Sequence, residues 1–311
     1  MRKAILGLVC LLGLPGAVVT ASAQDTVKIG LLMAYTGQFT NAAAQMDDGI
    51  KLYMKQHGDV VAGKKIELIR KDTAGAPDQA KRLAQELLVN DHVDILAGFV
   101  ITPEALAVAE LATEAKKLTV VMNAATSIIT LKSPYIVRSS LTLPQNCEVL
   151  GTWAFQNGVK KVFTLVSDYA PGLDAEAAFQ RAYTAAGGEI IGSVRVPLAN
   201  PDFSAFVQRA KDSGAEGIFV FVPGGSQPPA LAKALVERGM DASKIKIMGQ
   251  GELSEENALK AIGDAAIGII KPSTTTTRMT RRQTRNSSPP TMLNSNATPT
   301  SSRSAVMTAC T

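Results

Sequence analysis

The feature of this sequence that most constrains its fold is a regular alternation, from Val27 to Ile270, of apolar runs with longer amphipathic segments. This alternation predicts an α/β fold built on parallel sheets. The apolar runs carry few polar positions, as expected for strands whose two faces are both covered by helices. The predicted strands are residues 27–33, 65–70, 93–97, 118–122, 161–166, 189–196, 217–222 and 245–248, and the predicted helices are residues 46–54, 77–90, 103–116, 144–157, 173–186, 203–212 and 229–238.

The alternation falls into two successive series of similar size. The second series begins near Pro144. Because each series is long enough to build its own sheet, the sequence predicts two lobes, the first over residues 24–143 and the second over residues 144–270.

The first 23 residues have a different character. Arg2 and Lys3 precede an apolar stretch over residues 4–19, and the small residues Ala21-Ser22-Ala23 follow. This order is typical of a secretory signal peptide, with cleavage expected after Ala23. The apolar stretch is too short for a comfortable membrane span. We therefore expect export and release.

The composition changes again at Lys271. Residues 271–311 are mainly Ser, Thr, Pro, Asn and Arg, without aromatic residues or apolar periodicity. Such a segment cannot bury enough apolar surface to offset its chain entropy, so we expect disorder. Translation in a wrong reading frame is our preferred explanation for this tail, and a Ser/Thr-Pro stalk is the alternative.

Charge and cysteine content exclude several classes of protein. Of the 32 Lys and Arg residues, two lie in residues 1–23 and six in residues 271–311, which leaves 24 against 27 Asp and Glu residues in the part expected to fold. Nothing there favours nucleic-acid binding. Cys10 and Cys310 lie in the two end segments, so Cys147 has no partner for an internal disulfide.

Residues suited to catalysis are scarce. His57 and His92 are the two histidines, and each stands in a polar context at an expected helix end. The sequence has no phosphate-cradling or nucleophile-elbow motif. Gly249-Gln-Gly251 follows a strand but lacks the third glycine of a dinucleotide fingerprint. We expect neither an enzyme nor a cofactor or metal.

Loops at the carboxyl ends of strands are the expected place for a ligand, because open α/β sheets bind ligands there. The following helix N-termini offer N–H groups that suit a carboxylate. The candidate loops are residues 35–39, 98–103, 123–127 and 167–172.

These loops carry a resemblance to a known family. The motifs are Ile29-Gly-Leu with Thr36-Gly37, Asp72 with Pro77-Asp78, the Gly98 loop, Asn123-Ala-Ala-Thr-Ser127, Asp168-Tyr169 and Gly263-Asp-Ala-Ala-Ile-Gly268. In this order and spacing the chain resembles type I periplasmic binding proteins, in the leucine/isoleucine/valine-binding branch of ABC-importer receptors. The resemblance runs from about Val27 to Ile270.

The resemblance implies a two-lobed binding protein and its site residues. The family's Ala-Ala-Thr motif matches Ala124-Ala125-Thr126, which implies that the Ala124 carbonyl accepts from a ligand ammonium and that Thr126 donates to a ligand carboxylate. Thr102 matches a third-strand hydroxyl, and Tyr169 matches a tyrosine that closes over the ligand. Thr102 and Thr126 also suit simple helix capping, and Tyr169 also suits a surface position. Phe99 and Phe39 suit the core or the rim of the site, and either could also pack on a ligand as part of its wall.

Two departures from the family bear on the ligand and on the fold. The acid that pairs with an ammonium in amino-acid receptors is absent here or displaced to Glu252. Related receptors for aromatic acids share the residues over 167–174 and 123–127, so an aromatic carboxylate competes with a branched-chain amino acid. The resemblance also implies lobe crossings at residues 139–143 and 268–272 and, beyond the second, a missing part of the first lobe.

The resemblance implies a function in uptake. The chain is expected to deliver a small carboxylate, as a monomer, to an inner-membrane ABC permease with a cytoplasmic ATPase. A ligand sensor is the alternative, because the same fold serves both roles.

Overall fold

The computed structural model describes residues 25–240, 242, 244–272 and 307–309. The predicted signal peptide and residues 273–306, 310 and 311 of the tail lie outside the described residues. Among the described residues, no helix combines the length and apolarity needed to cross a bilayer.

The first lobe is built on one sheet with the strand order β2-β3-β1-β4-β5-β6. Its strands are β1 (Thr26–Met33), β2 (Val60–Val61), β3 (Lys64–Asp72), β4 (Ile95–Gly98), β5 (Leu118–Val121) and β6 (Ile136–Arg138). Its helices are α1 (Thr40–His57), α2 (Pro77–Val89) and α3 (Thr102–Glu114). Strand β1 pairs with β3 on one side and with β4 on the other, so the strand order reverses beside it. A ligand is expected at the carboxyl edge of such a switch point.

The second lobe repeats this plan, with the strand order β12-β11-β10-β9-β7-β8. Its strands are β7 (Lys161–Ser167), β8 (Glu189–Val196), β9 (Gly217–Phe221), β10 (Lys246–Gly249), β11 (Ile270–Pro272) and β12 (Met307–Ala309). Its helices are α4 (Leu143–Gln156), α5 (Ala170–Ala185), α6 (Phe203–Asp212), α7 (Gln227–Glu237) and α8 (Glu256–Ile262). Strand β7 lies between β8 and β9, which makes a second switch point.

The predicted fold class is confirmed, with two corrections at the ends of the sheets. Pairing is parallel except at the edges, where β2 is antiparallel to β3 and β12 is antiparallel to β11. Residues 268–272 were expected to cross between lobes, but Ile270 pairs with Met248 and extends the second sheet. Residues 307–309 were expected to lack structure, but they pair with β11 because a sheet edge offers free backbone groups to any short extended segment.

Each sheet is covered by helices on both faces, and the two cores differ in composition. The first-lobe core consists of aliphatic and small side chains with one buried phenylalanine, Phe99. In the second lobe, Phe179 stacks on Phe219 with ring centroids 4.2 Å apart and on Tyr183 with centroids 5.5 Å apart. Exposed apolar side chains gather near β5 and β6 of the first lobe, at Leu118, Ile128, Leu131 and Val137. An incomplete first lobe remains a prediction.

Candidate functional site

A cleft lies between the two lobes, at the carboxyl ends of strands from both sheets. The empty space between its walls is about 600 Å³, part of which is open solvent. The first-lobe wall includes Gln38, Phe39, Asn41, Thr102, Asn123 and Ala124. The second-lobe wall includes Tyr169, Pro171, Phe221, Gly224, Glu252 and Glu255.

The first turns of four helices line this cleft. Asn41 lies at the start of α1, Thr102 at the start of α3, Leu143 at the start of α4 and Pro171 at the start of α5. Helix N-termini carry partial positive charge and N–H groups without intrahelical partners. Within the described part of the chain, no Lys or Arg side chain lines the cleft. The arrangement therefore attracts an anion through helix ends and neutral donors.

The two predicted threonines meet behind the first-lobe wall. Their Oγ1 atoms lie 2.6 Å apart, and both residues are buried. Thr102 lines the cleft, whereas Thr126 is not among its lining residues. Either hydroxyl can be the donor. When Thr126 donates to Thr102, the Thr102 proton is available for a ligand oxygen in the cleft.

The Ala124-Ala125 segment lines the cleft as expected, and an arginine holds it from behind. Arg138 Nη1 donates to the Ala124 carbonyl at 2.9 Å, and Nη2 donates to the Thr126 carbonyl at 2.7 Å. The Ala125 carbonyl accepts from the Leu143 amide at 2.9 Å, where the chain passes between lobes. The carbonyl expected to accept from a ligand ammonium thus already accepts from Arg138. It keeps a second lone pair, but the positive charge of Arg138 disfavours a second cation beside it.

Aromatic rings line the cleft from both sides. Tyr169 and Phe221 of the second lobe have ring centroids 6.2 Å apart at an interplanar angle of 42°, and Phe39 faces the cleft from the first lobe. Burial, with a smaller contribution from Glu252, raises the pKa of Tyr169 well above its usual value. The Tyr169 phenol is therefore neutral, and the cleft can hold a flat ring between apolar surfaces.

Two carboxyl groups complete the second-lobe wall. Glu252 lies in the short 3-10 turn over Gly251–Ser254 that follows β10, and Glu255 follows that turn. Burial, and then the charge of Glu255, raise the pKa of Glu252 to about 8. Burial also raises the pKa of Glu255, against the opposing charge of Lys271. At neutral pH, Glu252 is therefore protonated and can both donate and accept a hydrogen bond.

The two lobes touch across the mouth of the cleft. Gln38 Nε2 donates to the Gly224 carbonyl at 3.3 Å. Ser127 donates to Asp174 of α5, from its amide at 2.8 Å and from its hydroxyl at 2.9 Å. A Cβ on Gly225 would lie 2.6 Å from the Gln38 backbone oxygen, so this approach requires glycine. The structure is that of a closed cleft.

Most residues that the sequence proposed as ligand contacts line the cleft, and Thr126 and Phe99 do not. Thr102, Ala124, Ala125, Tyr169 and Glu252 line the cleft, whereas Phe99 is fully buried in the first-lobe core. The lining residues that it did not propose as ligand contacts include Gln38, Asn41, Asn123, Phe221 and Glu255. Of these, Gln38 and Asn123 lie in the candidate loops, so the rule of strand ends could have found them.

Groups suited to other chemistry lie away from the cleft. His57 stacks on Tyr53 at the end of α1, with ring centroids 4.4 Å apart. Cys147 is fully buried in the second-lobe core, and burial raises the pKa of its thiol. The described residues contain no cluster of three or more His, Cys, Asp or Glu side chains that could hold a metal.

The chain matches a known family over most of its length. Residues 26–287 match the family model described as periplasmic binding protein, which confirms the resemblance seen in the sequence. The match runs past Lys271, into the segment whose separate origin remains a prediction. Leu/Ile/Val-binding protein homolog 6 of Brucella melitensis is 44% identical over 252 residues, which are 81% of this chain and 65% of that protein. The chain thus spans about two thirds of the length of that relative.

Two solved structures share the fold with substantial sequence identity. One is a solute-binding protein of an ABC transporter from Rhodopseudomonas palustris BisB5 in complex with 3,4-dihydroxybenzoic acid, with 55% identity and a TM-score of 0.76 over 80% of this chain and 68% of that one. Another is a solute-binding protein of an ABC transporter from R. palustris in complex with 4-hydroxybenzoate, with 44% identity and a TM-score of 0.77 over 80% of this chain and 68% of that one.

Proposed function

This chain belongs to the periplasmic binding protein family, and we propose that it captures a small aromatic carboxylate between its two lobes and delivers it to an inner-membrane ABC importer. The lobes proposed to close on the ligand are residues 24–143 and 144–270. Closure follows because a ligand that contacts both walls binds the closed state better and shifts the population toward it.

The observation that carries the proposal is the set of helix N-termini around the cleft. The first turns of α1, α3, α4 and α5 meet there. Their combined field favours an anionic group, and neutral donors such as Thr102 hold a carboxylate by hydrogen bonds. Since no cationic side chain of the described residues lines the cleft, the anion is bound without an ion pair and remains releasable to a transporter.

An aromatic ring fits the remaining surfaces of the cleft. Phe39, Tyr169 and Phe221 supply aromatic surface from both lobes. The two R. palustris proteins named above carry hydroxylated benzoic acids in their structures. At 55% and 44% identity, they support the same ligand class for this chain.

A branched-chain amino acid is the second candidate. It is favoured by the name of the Brucella relative and by the carboxyl groups of Glu252 and Glu255, which could pair with an ammonium. Against it, Arg138 occupies the Ala124 carbonyl, and Glu252 is protonated near neutral pH. Both observations lower the affinity for a cationic group.

We propose binding without chemical turnover, as a monomer in the periplasm. Cys147, His57 and His92 lie away from the cleft, and burial keeps the Cys147 thiol protonated. A sensor role uses the same cleft. Loss of ligand uptake on gene deletion supports import, whereas intact uptake with a lost transcriptional or motility response supports sensing.

Isothermal titration of the purified full chain tests the proposal. The panel contains 4-hydroxybenzoate, 3,4-dihydroxybenzoate, benzoate, 4-hydroxybenzamide and leucine. We expect the aromatic carboxylates to bind at least tenfold more tightly than leucine, and the uncharged amide to bind weakly. Tighter binding of leucine would establish the second candidate, and a folded protein that binds no carboxylate would overturn both.

Thr102→Val tests the first-lobe contact. A hydrogen bond to a charged group contributes about 1.5–3 kcal/mol, so we expect the affinity for every carboxylate in the panel to fall by roughly 10- to 100-fold. Thr113→Val is the matched control, because Thr113 lies on the same helix and bonds Ala109 and Ser133 away from the cleft. Unchanged affinity in Thr102→Val would remove this residue from the site.

A further inference from the structure

One carboxyl oxygen in the cleft wall has no partner. Glu252 Oε2 is enclosed by the protein and forms no hydrogen bond with the described residues, although the residue lines the cleft. Buried polar atoms are nearly always hydrogen-bonded, so an exception calls for an explanation. Because Oε2 is enclosed in this structure, a ligand group becomes its partner when the Glu252 side chain turns toward the cleft.

A second carboxyl group lies beside the first. A Cβ on Gly224 would be 3.8 Å from Glu252 Cγ and 3.8 Å from Glu255 Oε2, so both side chains border the same end of the cleft. This end belongs to the second lobe, whereas the helix N-termini of α1 and α3 and the hydroxyl of Thr102 belong to the first. The rings of Tyr169 and Phe221 line the same second-lobe wall.

The charge state of this end suits an anionic ligand. Burial raises the pKa of Glu252 to about 8. Burial also raises the pKa of Glu255, and the positive charge of Lys271 lowers it by a smaller amount. The other titratable groups coupled to Glu252 are Tyr169 and Cys147, and burial keeps both neutral by raising their pKa values. A neutral Glu252 does not repel a carboxylate at the far end of a ring.

We propose that Glu252, with Glu255 beside it, hydrogen-bonds a hydroxyl group on the ring of the ligand, so that the cleft selects ring-hydroxylated aromatic carboxylates over unsubstituted ones; this inference rests on the function proposed above. A flat ring with its carboxylate against the first lobe points its 4-position and one 3-position toward the second lobe. A 2-hydroxyl group bonds the ligand's own carboxylate instead and does not reach Glu252.

The physical basis of the selectivity is the polar group left unpaired by the wrong ligand. A site that hydrogen-bonds a substrate hydroxyl discriminates strongly against the analogue that lacks it. Benzoate leaves Glu252 Oε2 enclosed without a partner, whereas 4-hydroxybenzoate supplies one. The order of affinity expected for the full chain is 4-hydroxybenzoate above 3-hydroxybenzoate, and both above benzoate and 2-hydroxybenzoate.

Titration calorimetry at pH 7 with these four acids tests the inference on the wild type, Glu252→Leu and Glu252→Gln. In Glu252→Leu we expect the affinity for 4-hydroxybenzoate to fall roughly 10- to 100-fold, to the level of benzoate, while benzoate binds at least as well as before. In Glu252→Gln we expect affinity and selectivity within about threefold of the wild type, because an amide also donates and accepts. Glu237→Leu is the control, since Glu237 is exposed at the end of α7 in the same lobe.

The outcomes separate this inference from the proposed function. Equal affinities for benzoate and 4-hydroxybenzoate, unchanged by Glu252→Leu, would overturn the inference and leave aromatic carboxylate capture intact. Loss of leucine binding in Glu252→Gln, without an effect on aromatic acids, would assign Glu252 to an ammonium and also overturn it. Benzoate binding by Glu252→Leu shows that the variant is folded, so its result with 4-hydroxybenzoate is decisive either way.

Discussion

The two walls of the cleft present different chemistry to a ligand. The first-lobe wall consists of helix N-termini and neutral polar side chains, Gln38, Asn41, Thr102 and Asn123. The second-lobe wall consists of two aromatic rings, Tyr169 and Phe221, and two carboxyl groups, Glu252 and Glu255. Helix N-termini that favour an anion lie in both walls, whereas the two carboxyl groups lie only in the second. We therefore expect the ligand carboxylate against the first wall and a ring hydroxyl against the second. The two lobes then recognise different groups of the ligand, and a ligand contacts both walls only when the cleft is closed.

Close backbone packing holds the site loops in both lobes. In the first lobe, the loop after β4 has positive φ angles of 116° at Gly98 and 66° at Phe99. In the second lobe, a Cβ on Gly172 at the start of α5 would lie 1.9 Å from the Ser167 carbonyl oxygen. A small steric change should therefore be damaging at either position.

Gly98→Ala applies that steric change, and we expect it to have the largest effect. A Cβ at this position would lie 2.3 Å from the Leu32 carbonyl oxygen, in a backbone conformation that side chains rarely adopt. We expect a loss of about 3–5 kcal/mol in the free energy of unfolding, measured by urea denaturation. Gly49→Ala is the control: it is exposed within α1 with no atom within 4 Å, and it should stabilise the protein by about 0.5–1 kcal/mol. Similar midpoints for both variants would refute a first lobe held by close backbone packing.

The raised pKa of Glu252 predicts that the free energy of unfolding depends on pH. The pKa of Glu252 rises from 4.5 in the reference state to about 8 in the fold. Between these values the folded protein holds a proton that the unfolded chain has lost, so raising the pH lowers the free energy of unfolding. At about 1.4 kcal/mol for each pH unit, the loss by pH 7 is on the order of 3 kcal/mol.

Glu252→Gln removes this titration, and we expect the variant to be more stable than the wild type at pH 7 by about that amount. The difference should vanish below pH 4.5, where Glu252 is protonated in both states. Urea titrations at several pH values measure it. A residual slope is expected from Glu255 and Glu104, whose pKa values burial also raises. Equal stabilities of variant and wild type across this range would show that Glu252 is solvated and ionised in the cleft.

Long elements of this fold were predictable because their periodicity is strong. Strand β8 (Glu189–Val196) and helix α6 (Phe203–Asp212) have the bounds that the sequence pattern predicts. Strands β2 and β6 and the 3-10 turn over Ser127–Leu131 were missed, because two to five residues do not display a period. Strand β11 was missed because it has only three residues, and because its pairing with β10 is determined by tertiary packing.

The site was predictable where it depends on one lobe. Thr102 and Tyr169 lie in loops that the rule of ligand binding at strand ends selected, the family resemblance named the two residues, and both line the cleft. The positions of Glu255 and Asn41 in the cleft depend on how the lobes face each other, which no local pattern records. Phe99 lies in the core, which was one of the two places that its residue type suits, and residue type alone could not decide between them.

We expect closure of the two lobes to be independent of the preference for a ring hydroxyl, and a substitution of Asp174 tests this. Its carboxylate accepts from the Ser127 amide at 2.8 Å and from the Ser127 hydroxyl at 2.9 Å, across the two lobes. These bonds join the two lobes in this structure, and we expect opening of the cleft to break them. Asp174→Asn removes the charge and one acceptor, which we expect to cost about 1 kcal/mol of closure. The affinities for 4-hydroxybenzoate and benzoate should both fall about fivefold, with their ratio unchanged, whereas Asp212→Asn on the exposed face of α6 should alter neither. A change in the ratio would mean that closure and recognition of the ring are one process, and the two walls would then not act independently.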